Sequence, residues 1–568
     1  MADPISNITI VGGGTAGWMT AMLMNAMFRG EGGKSRMGIT LIESPNVPTV
    51  GVGEATVPGM PRVLKTCGVS EREFFKACNA SFKLGVMFQK WNVDRNGDFI
   101  DYVNPFGRPG YVAGVDLAYY YLREGAGGLE FAQTYAPALD LIRAGKGPRP
   151  LGQPEFSGEA GYAYHLDAGR FAGLMRDISK DRGVVHILDD VVDVTRDGET
   201  GNIASLVLQE RGEHPVELVI DCTGFRGLLI NKVLEEPFIP YSKYLANDRA
   251  LAVQIPHEGE VKVDCATRST ALGAGWSWRV PLFNRVGTGY VFSSSHRTDE
   301  EAMTEFLGHL GPEGEGLEPR VIPMRVGRSR NLWVKNCVAI GLSGGFIEPL
   351  ESTAIHMIDT SIRWLFTYFP DTDFAPVLRD SYNRLTGNLY DEVRDFICLH
   401  YALGNRTDSQ YWIDARTELE VPDSLARNLE LWQHVLPGAY DIEFQTLFPF
   451  TVYQAVMLGK RVYETGYGKE RIGQNFVTRG EYWRTHLGRM RASIEGMVAN
   501  AADHTTLLRD LRGEPLVPDR PQQPPVFAGF GGPSATIATP GAKMAAQMTF
   551  PPVKPAKDAE PADEASLL

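Results

Sequence analysis

Ile8-Thr9-Ile10-Val11-Gly12-Gly13-Gly14-Thr15-Ala16-Gly17-Trp18 decides the fold class. The apolar run Asn7 to Val11 reads as a buried strand, and the stretch from Gly17 to Phe28 carries a helical pattern. Between them Gly12, Gly14 and Gly17 form Gly-x-Gly-x-x-Gly after a strand and before a helix, the context in which that spacing has a physical meaning. Glycines let the backbone approach a pyrophosphate closely, and its charge meets the helix start at Thr15 and Ala16. A second strand, Gly38 to Glu43, completes a β-α-β unit and ends on Glu43, a carboxylate placed to accept hydrogen bonds from a ribose. The expected class is α/β, built around a Rossmann-like dinucleotide-binding domain.

The same logic recurs further along. A helix is expected around Ala168 to Arg182 and a strand over Val184 to Leu188, followed by strands Ile203 to Glu210 and Val216 to Ile220. The alternation of Trp276, Trp278 and Val280, with Tyr290 and Phe292 after it, predicts a second sheet able to cover a ligand. Beyond residue 353 helical patterns dominate: Thr353 to Phe369, Ala375 to Leu403, Asp423 to His434 and Arg479 to Leu511. From about Gly513, Pro, Ala and Gly take over, which predicts a mobile tail without a core. The expected organisation is a cofactor-binding module over 1–352 with its covering sheet, a helical substrate-binding part over 353–512, and the tail over 513–568.

Composition narrows the function. At 568 residues with 43% hydrophobic and 22% charged side chains, the chain can enclose a large cofactor in a packed core. A formal net charge of −13 argues against nucleic acid or an anionic membrane as partner, leaving a small molecule. The six cysteines lack metal-ligand or disulfide spacing, so reduced thiols and no metal are expected. With no secretion signal and no long apolar run, the expected location is cytoplasmic.

The dinucleotide could be FAD or NAD. No second Gly-x-Gly-x-x-Gly follows a later strand, so a built-in nicotinamide domain is not indicated. Asp221-Cys222-Thr223-Gly224, at the end of a strand late in the same domain, resembles the second flavin-contacting strand of FAD-dependent hydroxylases and favours FAD.

Three further segments carry chemistry. Val52-Gly53-Glu54-Ala55-Thr56-Val57-Pro58 places small residues in a loop where backbone can touch a flavin. Trp276-Ser277-Trp278-Arg279-Val280-Pro281 sets two indoles on one strand face and ends in a proline. Phe346-Ile347-Glu348-Pro349-Leu350-Glu351-Ser352-Thr353 leads into a helix, whose N-terminus suits a halide or phosphate; a plain capping sequence on Ser352 or Thr353 fits equally.

With the Gly-rich start, these segments in this order resemble the flavin-dependent tryptophan halogenase family from Ile8 to about Leu511. The resemblance implies a flavin-monooxygenase-like FAD domain with a covering sheet, plus a mostly helical C-terminal substrate part. Its FAD-binding residues would be Gly12, Gly14, Thr15, Ala16, Gly17, Glu43, Ala55, Thr56, Trp276, Trp278, Pro281 and Ile347. It further implies FAD supplied as FADH2 by a separate flavin reductase, and a halide, chloride or bromide, oxidised to hypohalous acid. The oligomeric state, including a homodimer, stays open.

In this family a lysine in a Phe-Lys segment is essential, and Phe82-Lys83 fits, about sixty-five residues after the Gly-rich turn. Read as a strand, Phe82 to Phe88 places Phe82, Leu84, Val86 and Phe88 on one face and Lys83 on the other. Lys83 would hold or activate the oxidant, and Glu351 would polarise it or take the ring proton. The halide would meet backbone N–H groups of Thr353 and Ala354. The family carries glycine at the second position, so an alanine there puts chloride binding in question if positive φ is required.

The substrate region departs from the family as well. Asn104-Pro105-Phe106-Gly107 stands where His-Pro-Phe-Gly is usual, keeping Pro105 and the stacking ring of Phe106 but losing the histidine. Phe444 to Tyr467 lacks the paired tyrosines and glutamate that grip the amino-acid part of tryptophan, so free indole or another unclamped aromatic is expected. An FAD-dependent aromatic hydroxylase and a non-catalytic flavin-binding protein stand as alternatives.

Overall fold

The strand Asn7–Val11 lies inside a six-stranded sheet whose order is Val185–Leu188, Gly38–Glu43, Asn7–Val11, Leu218–Asp221, Cys337–Ala339, Trp333–Val334. The first five run parallel and the last is antiparallel. Ile8, Ile10, Leu218 and Ile220 are fully buried, as expected where crossover helices cover both faces. The computed structural model describes residues 3–30, 35–47, 53–259, 261–465, 472 and 476–513. Val52 and the tail from 514 onward lie outside the described residues, as do the tips 466 and 467 of the segment searched for an amino-acid clamp.

The second sheet has seven strands in the order Arg320–Pro323, Arg249–Pro256, Arg285–Phe292, Gly275–Pro281, Thr267–Leu272, Gly85–Val93, Phe99–Pro105. It is antiparallel except where Thr267–Leu272 runs parallel to Gly85–Val93. A three-stranded sheet of Gly53–Ala55, Ala163–Asp167 and Ser81–Lys83 lies against it, with Gly53 so close to Gly287 that a Cβ on Gly287 would sit 3.0 Å from the Gly53 backbone. The helix Ala354–Thr367 packs on Thr15–Met27, and the 27-residue helix Pro376–Ala402 packs beside it, with Pro376 at its first turn where a missing N–H costs nothing. The described residues fall in one compact unit. Among them no helix is long and apolar enough to cross a membrane, and no group of His, Cys, Asp or Glu could hold a metal ion.

Two expected elements are broken. Ser81–Lys83 and Gly85–Val93 belong to different sheets rather than forming one strand, because Leu84 N–H turns aside to donate to the Cys265 carbonyl at 2.8 Å. Gly85 then passes close to the Asn104 carbonyl, at 2.8 Å from where a Cβ would stand. The C-terminal pattern forms two helices, Gly480–Asn500 and His504–Arg512: Ala501 is extended, and Asp503 caps the second by accepting from Thr506 N–H at 3.0 Å.

Candidate functional site

The glycine turn is sterically exacting. Gly12 has φ +116, and a Cβ there would stand 2.2 Å from the Cys222 carbonyl oxygen; one on Gly17 would meet the Gly12 oxygen at 1.8 Å. One on Gly13 would strike the Glu43 carboxylate carbon at 2.0 Å, so Glu43 folds directly over the turn. Above Gly14 there is open space, and Gly14 caps the helix without a side-chain bond, leaving the first N–H groups of Thr15–Met27 free of side-chain caps. A bare helix N-terminus facing open space, with a carboxylate beside it, fits a dinucleotide pyrophosphate and ribose. One Glu43 oxygen, Oε2, lies 2.9 Å from His186 Nε2.

Asp221 turns inward instead. Its carboxylate accepts from Thr223 N–H and Oγ1 and from Leu229 and Ile230 N–H, at 2.6 to 2.9 Å. It shapes the turn that supports the glycine motif, and its acceptors are taken.

The two tryptophans divide. Trp276 is 1% exposed, and its indole N–H donates to Glu348 Oε2 at 2.7 Å; the same oxygen accepts from Asn247 and the Tyr401 hydroxyl. Trp278, by contrast, borders a cavity of about 180 Å³ together with Gly53, Gly287 and Thr288. Pro281 accepts from the Ser81 hydroxyl at 2.5 Å, tying the end of the tryptophan strand to the strand that ends in Lys83. Ala55 packs with Val280 and Trp278, and Ile347 is buried beneath the Glu348–Glu351 turn.

Lys83 and Glu351 are brought together in the interior. Lys83 is fully buried; its Nζ donates to the Thr56 carbonyl at 3.0 Å and to Ser352 Oγ at 2.9 Å, and lies 5.4 Å from the centre of the Phe106 ring. Thr56 is itself pinned, its N–H and hydroxyl both donating to the Tyr164 carbonyl. Burial lowers the Lys83 ammonium to about 7, and the nearby Glu351 carboxylate opposes that shift. Near neutral pH the amine is therefore available both as donor and as a free lone pair.

Glu351 is 4% exposed, and its Oε1 accepts from Asn104 Nδ2 at 3.0 Å. Pro105 pairs with Gly85 in the strand that carries Asn104, and Phe106 follows it, so Lys83, Glu351, Asn104 and Phe106 border one region. Ser352, between Glu351 and Thr353, has φ +60, a turn that aims its hydroxyl at Lys83. Thr353 caps Ala354–Thr367 without a side-chain bond, and Ala354 is the first helical residue, outside the positive-φ residues. The left-handed residue of the turn is Ser352, and Ala354 has ordinary helical backbone rather than positive φ.

The sequence offers Ser352 only as a capping residue and gives no signal for His400, a single histidine in the long helix Pro376–Ala402 whose Nε2 lies 3.2 Å from Glu351 Oε1.

The model of a family described as tryptophan halogenase matches residues 7–470. The chain is 40% identical over 476 residues to the tryptophan 6-halogenase SttH of Streptomyces toxytricini, covering 80% of this chain and 88% of that protein. It is 35% identical over 491 residues to the tryptophan 7-halogenase RebH of Lentzea aerocolonigenes, covering 81% and 90%. BrvH, a flavin-dependent halogenase from Brevundimonas sp. BAL3, superposes with a TM-score of 0.79 at 35% identity, covering 90% of this chain and 99% of that one. The glycine turn, the buried lysine and the glutamate turn all fall within the matched span, and the chain belongs to the tryptophan halogenase family, whose members are flavin-dependent enzymes.

Proposed function

We propose that this protein uses reduced FAD, oxygen and chloride or bromide to halogenate an electron-rich aromatic, indole or an indole derivative, and that Lys83 and Glu351 carry the step on the ring. The observation that carries the reading is a buried lysine that lies over the Phe106 ring and is hydrogen-bonded to Ser352, the neighbour of the buried Glu351, in a chain of this family.

Bound FADH2 supplies the electrons with which oxygen converts halide into an electrophilic hypohalous acid. The N–H groups of Thr15, Ala16 and Gly17, above Gly12 and Gly14, would hold the pyrophosphate, and Glu43 a ribose. Ala55, Thr56, Trp278, Pro281 and Ile347 would shape the flavin side, while Trp276 braces the turn through Glu348. The halide would be held by the N–H groups of Thr353 and Ala354, where no side chain caps the helix. Lys83 would hold the oxidant by donating a hydrogen bond or through its lone pair, and Glu351 would take the proton from the halogenated carbon. Pro105 and Phe106 would flank the aromatic substrate. In this reading 1–352 handles flavin and halide, 353–512 encloses the substrate, and a separate reductase delivers FADH2 because the sequence carries one dinucleotide motif.

Indole is favoured over free tryptophan by Asn104, whose amide is committed to Glu351, and by the tyrosines of the expected clamp region. Tyr453 packs against Phe396 and Trp432, and the Tyr463 hydroxyl lies against Met457 sulfur. The test is mass spectrometry of an indole panel incubated with the protein, FAD, a reductase, NADH and either halide. Halogenated product supports the reading; oxygenated product without halogen would make the protein a hydroxylase, and no product across the panel would leave a flavin-binding protein.

A further inference from the structure

We propose that His400 acts with Glu351 as a two-residue base, accepting at Nε2 the proton that Glu351 takes from the ring; the inference rests on the reading of Glu351 as that base. His400 stands in the last turn of Pro376–Ala402 and is fully buried. Its Nδ1 lies 2.9 Å from the Phe396 carbonyl oxygen, which can only accept, so Nδ1 carries a hydrogen and, in the neutral ring, Nε2 is the acceptor.

That nitrogen lies beside the reacting carboxylate. Nε2 is 3.2 Å from Glu351 Oε1, in contact but not aligned for a hydrogen bond, and it has no hydrogen-bond partner. An unpartnered nitrogen in a dry interior is costly, and two acceptors facing each other there are worse. One proton placed between them removes both penalties. The ring is fixed for this exchange, stacked on Phe88 at 5.0 Å and edge-on to Phe396. Asn104 Nδ2 donates to that same oxygen, Oε1, and fixes the carboxylate. The charged or titratable groups that face Glu351 are Lys83 and Tyr102, whereas His400 is enclosed by the uncharged rings of Phe88, Trp91 and Phe396.

The step balances. The C–H electron pair at the halogenated carbon returns to the ring, and the proton forms an O–H bond on Glu351. That bond breaks as Nε2 forms N–H, giving an imidazolium beside a regenerated carboxylate. Hydroxide left when hypohalous acid gives up its halogen is the final acceptor: the proton returns from Nε2 through Glu351 to it, yielding water and neutral His400.

His400→Phe keeps a stacked ring but removes the nitrogens, and His400→Gln keeps a polar group that cannot take up a proton. Each should leave flavin reoxidation within about twofold of wild type while lowering halogenated indole by about 100-fold, the lower end of the span of general acid–base assistance. With indole deuterated at the halogenated carbon, the isotope effect should rise from near 1 to above about 2, because deprotonation becomes slow. Product within twofold of wild type, or reduced product with the isotope effect still near 1, would overturn the proposal; the second result would make His400 a packing residue. Should these variants not fold, ¹⁵N-histidine NMR of the otherwise wild-type protein decides: the His400 Nε2 titration should shift by about one pH unit or more in Glu351→Gln, and an unchanged titration overturns the proposal. Wild-type protein that makes no halogenated product would instead refute the functional reading itself.

Discussion

Lys83 Nζ donates to Ser352 Oγ across 2.9 Å, joining the end of the strand Ser81–Lys83 to the turn that carries Glu351. The bond requires φ +60 at Ser352, so the backbone of the glutamate turn and the position of the lysine are set together. A lysine enclosed in this way has given up hydration for one carbonyl, one hydroxyl and an aromatic face.

That burial predicts a pH dependence of stability. The folded lysine titrates at about 7, well below the unfolded value of about 10.4, so between those values the unfolded chain binds more protons and stability rises with pH. Lys83→Met removes this contribution. Its stability relative to wild type should be greater at pH 6 than at pH 9 by about 2 to 3 kcal/mol, measured by urea denaturation at both pH values. A difference independent of pH would mean that Lys83 keeps its ordinary affinity for protons.

Ala354 is helical, so glycine is not required there. Ala354→Gly should retain turnover with both chloride and bromide within about threefold and lose up to about 1 kcal/mol of stability from the first turn of the helix. A large selective gain in chloride use, read from competition between the two halides, would show that the alanine methyl group restricts the halide site.

Competition between indole and L-tryptophan tests the substrate reading. Indole should be halogenated with the higher kcat/KM, because Asn104 is held by Glu351 and Tyr453 is packed away among Phe396 and Trp432. A higher specificity for tryptophan would locate an amino-acid clamp elsewhere in the chain.

The glycine turn was legible because its requirement is steric and local: Gly12, Gly13 and Gly17 each face an atom that a Cβ would strike. Lys83 was legible through its motif, whereas its depth was not, since alternation along Phe82 to Phe88 does not reveal that the strand breaks at Leu84 into two sheets. Asn104 read as a lost histidine, yet its amide holds a carboxylate 247 positions away. Trp276 read as a cofactor face, and only the folded chain brings Glu348 under its indole N–H. His400 left no trace in the sequence pattern, because its importance comes from which carboxylate the last helical turn of Pro376–Ala402 delivers it to.

Glu351→Gln preserves an acceptor for Asn104 and should fold, but an amide cannot take the ring proton. Product formation should fall by about 100- to 10,000-fold while FAD affinity is unchanged, checked by product assay and flavin fluorescence titration. Near-wild-type product would place the base elsewhere.

Oxidant formation and ring halogenation are separate steps in the proposed reaction, and Lys83 belongs only to the second. The most direct test measures flavin reoxidation, oxygen consumption and halogenated indole in one reaction with Lys83→Met, after FAD binding and folding have been verified. Reoxidation and oxygen consumption should stay close to wild type with halogenated product absent. Product formation near the wild-type rate would contradict that role for Lys83, because hypohalous acid would then be reaching the ring without the lysine.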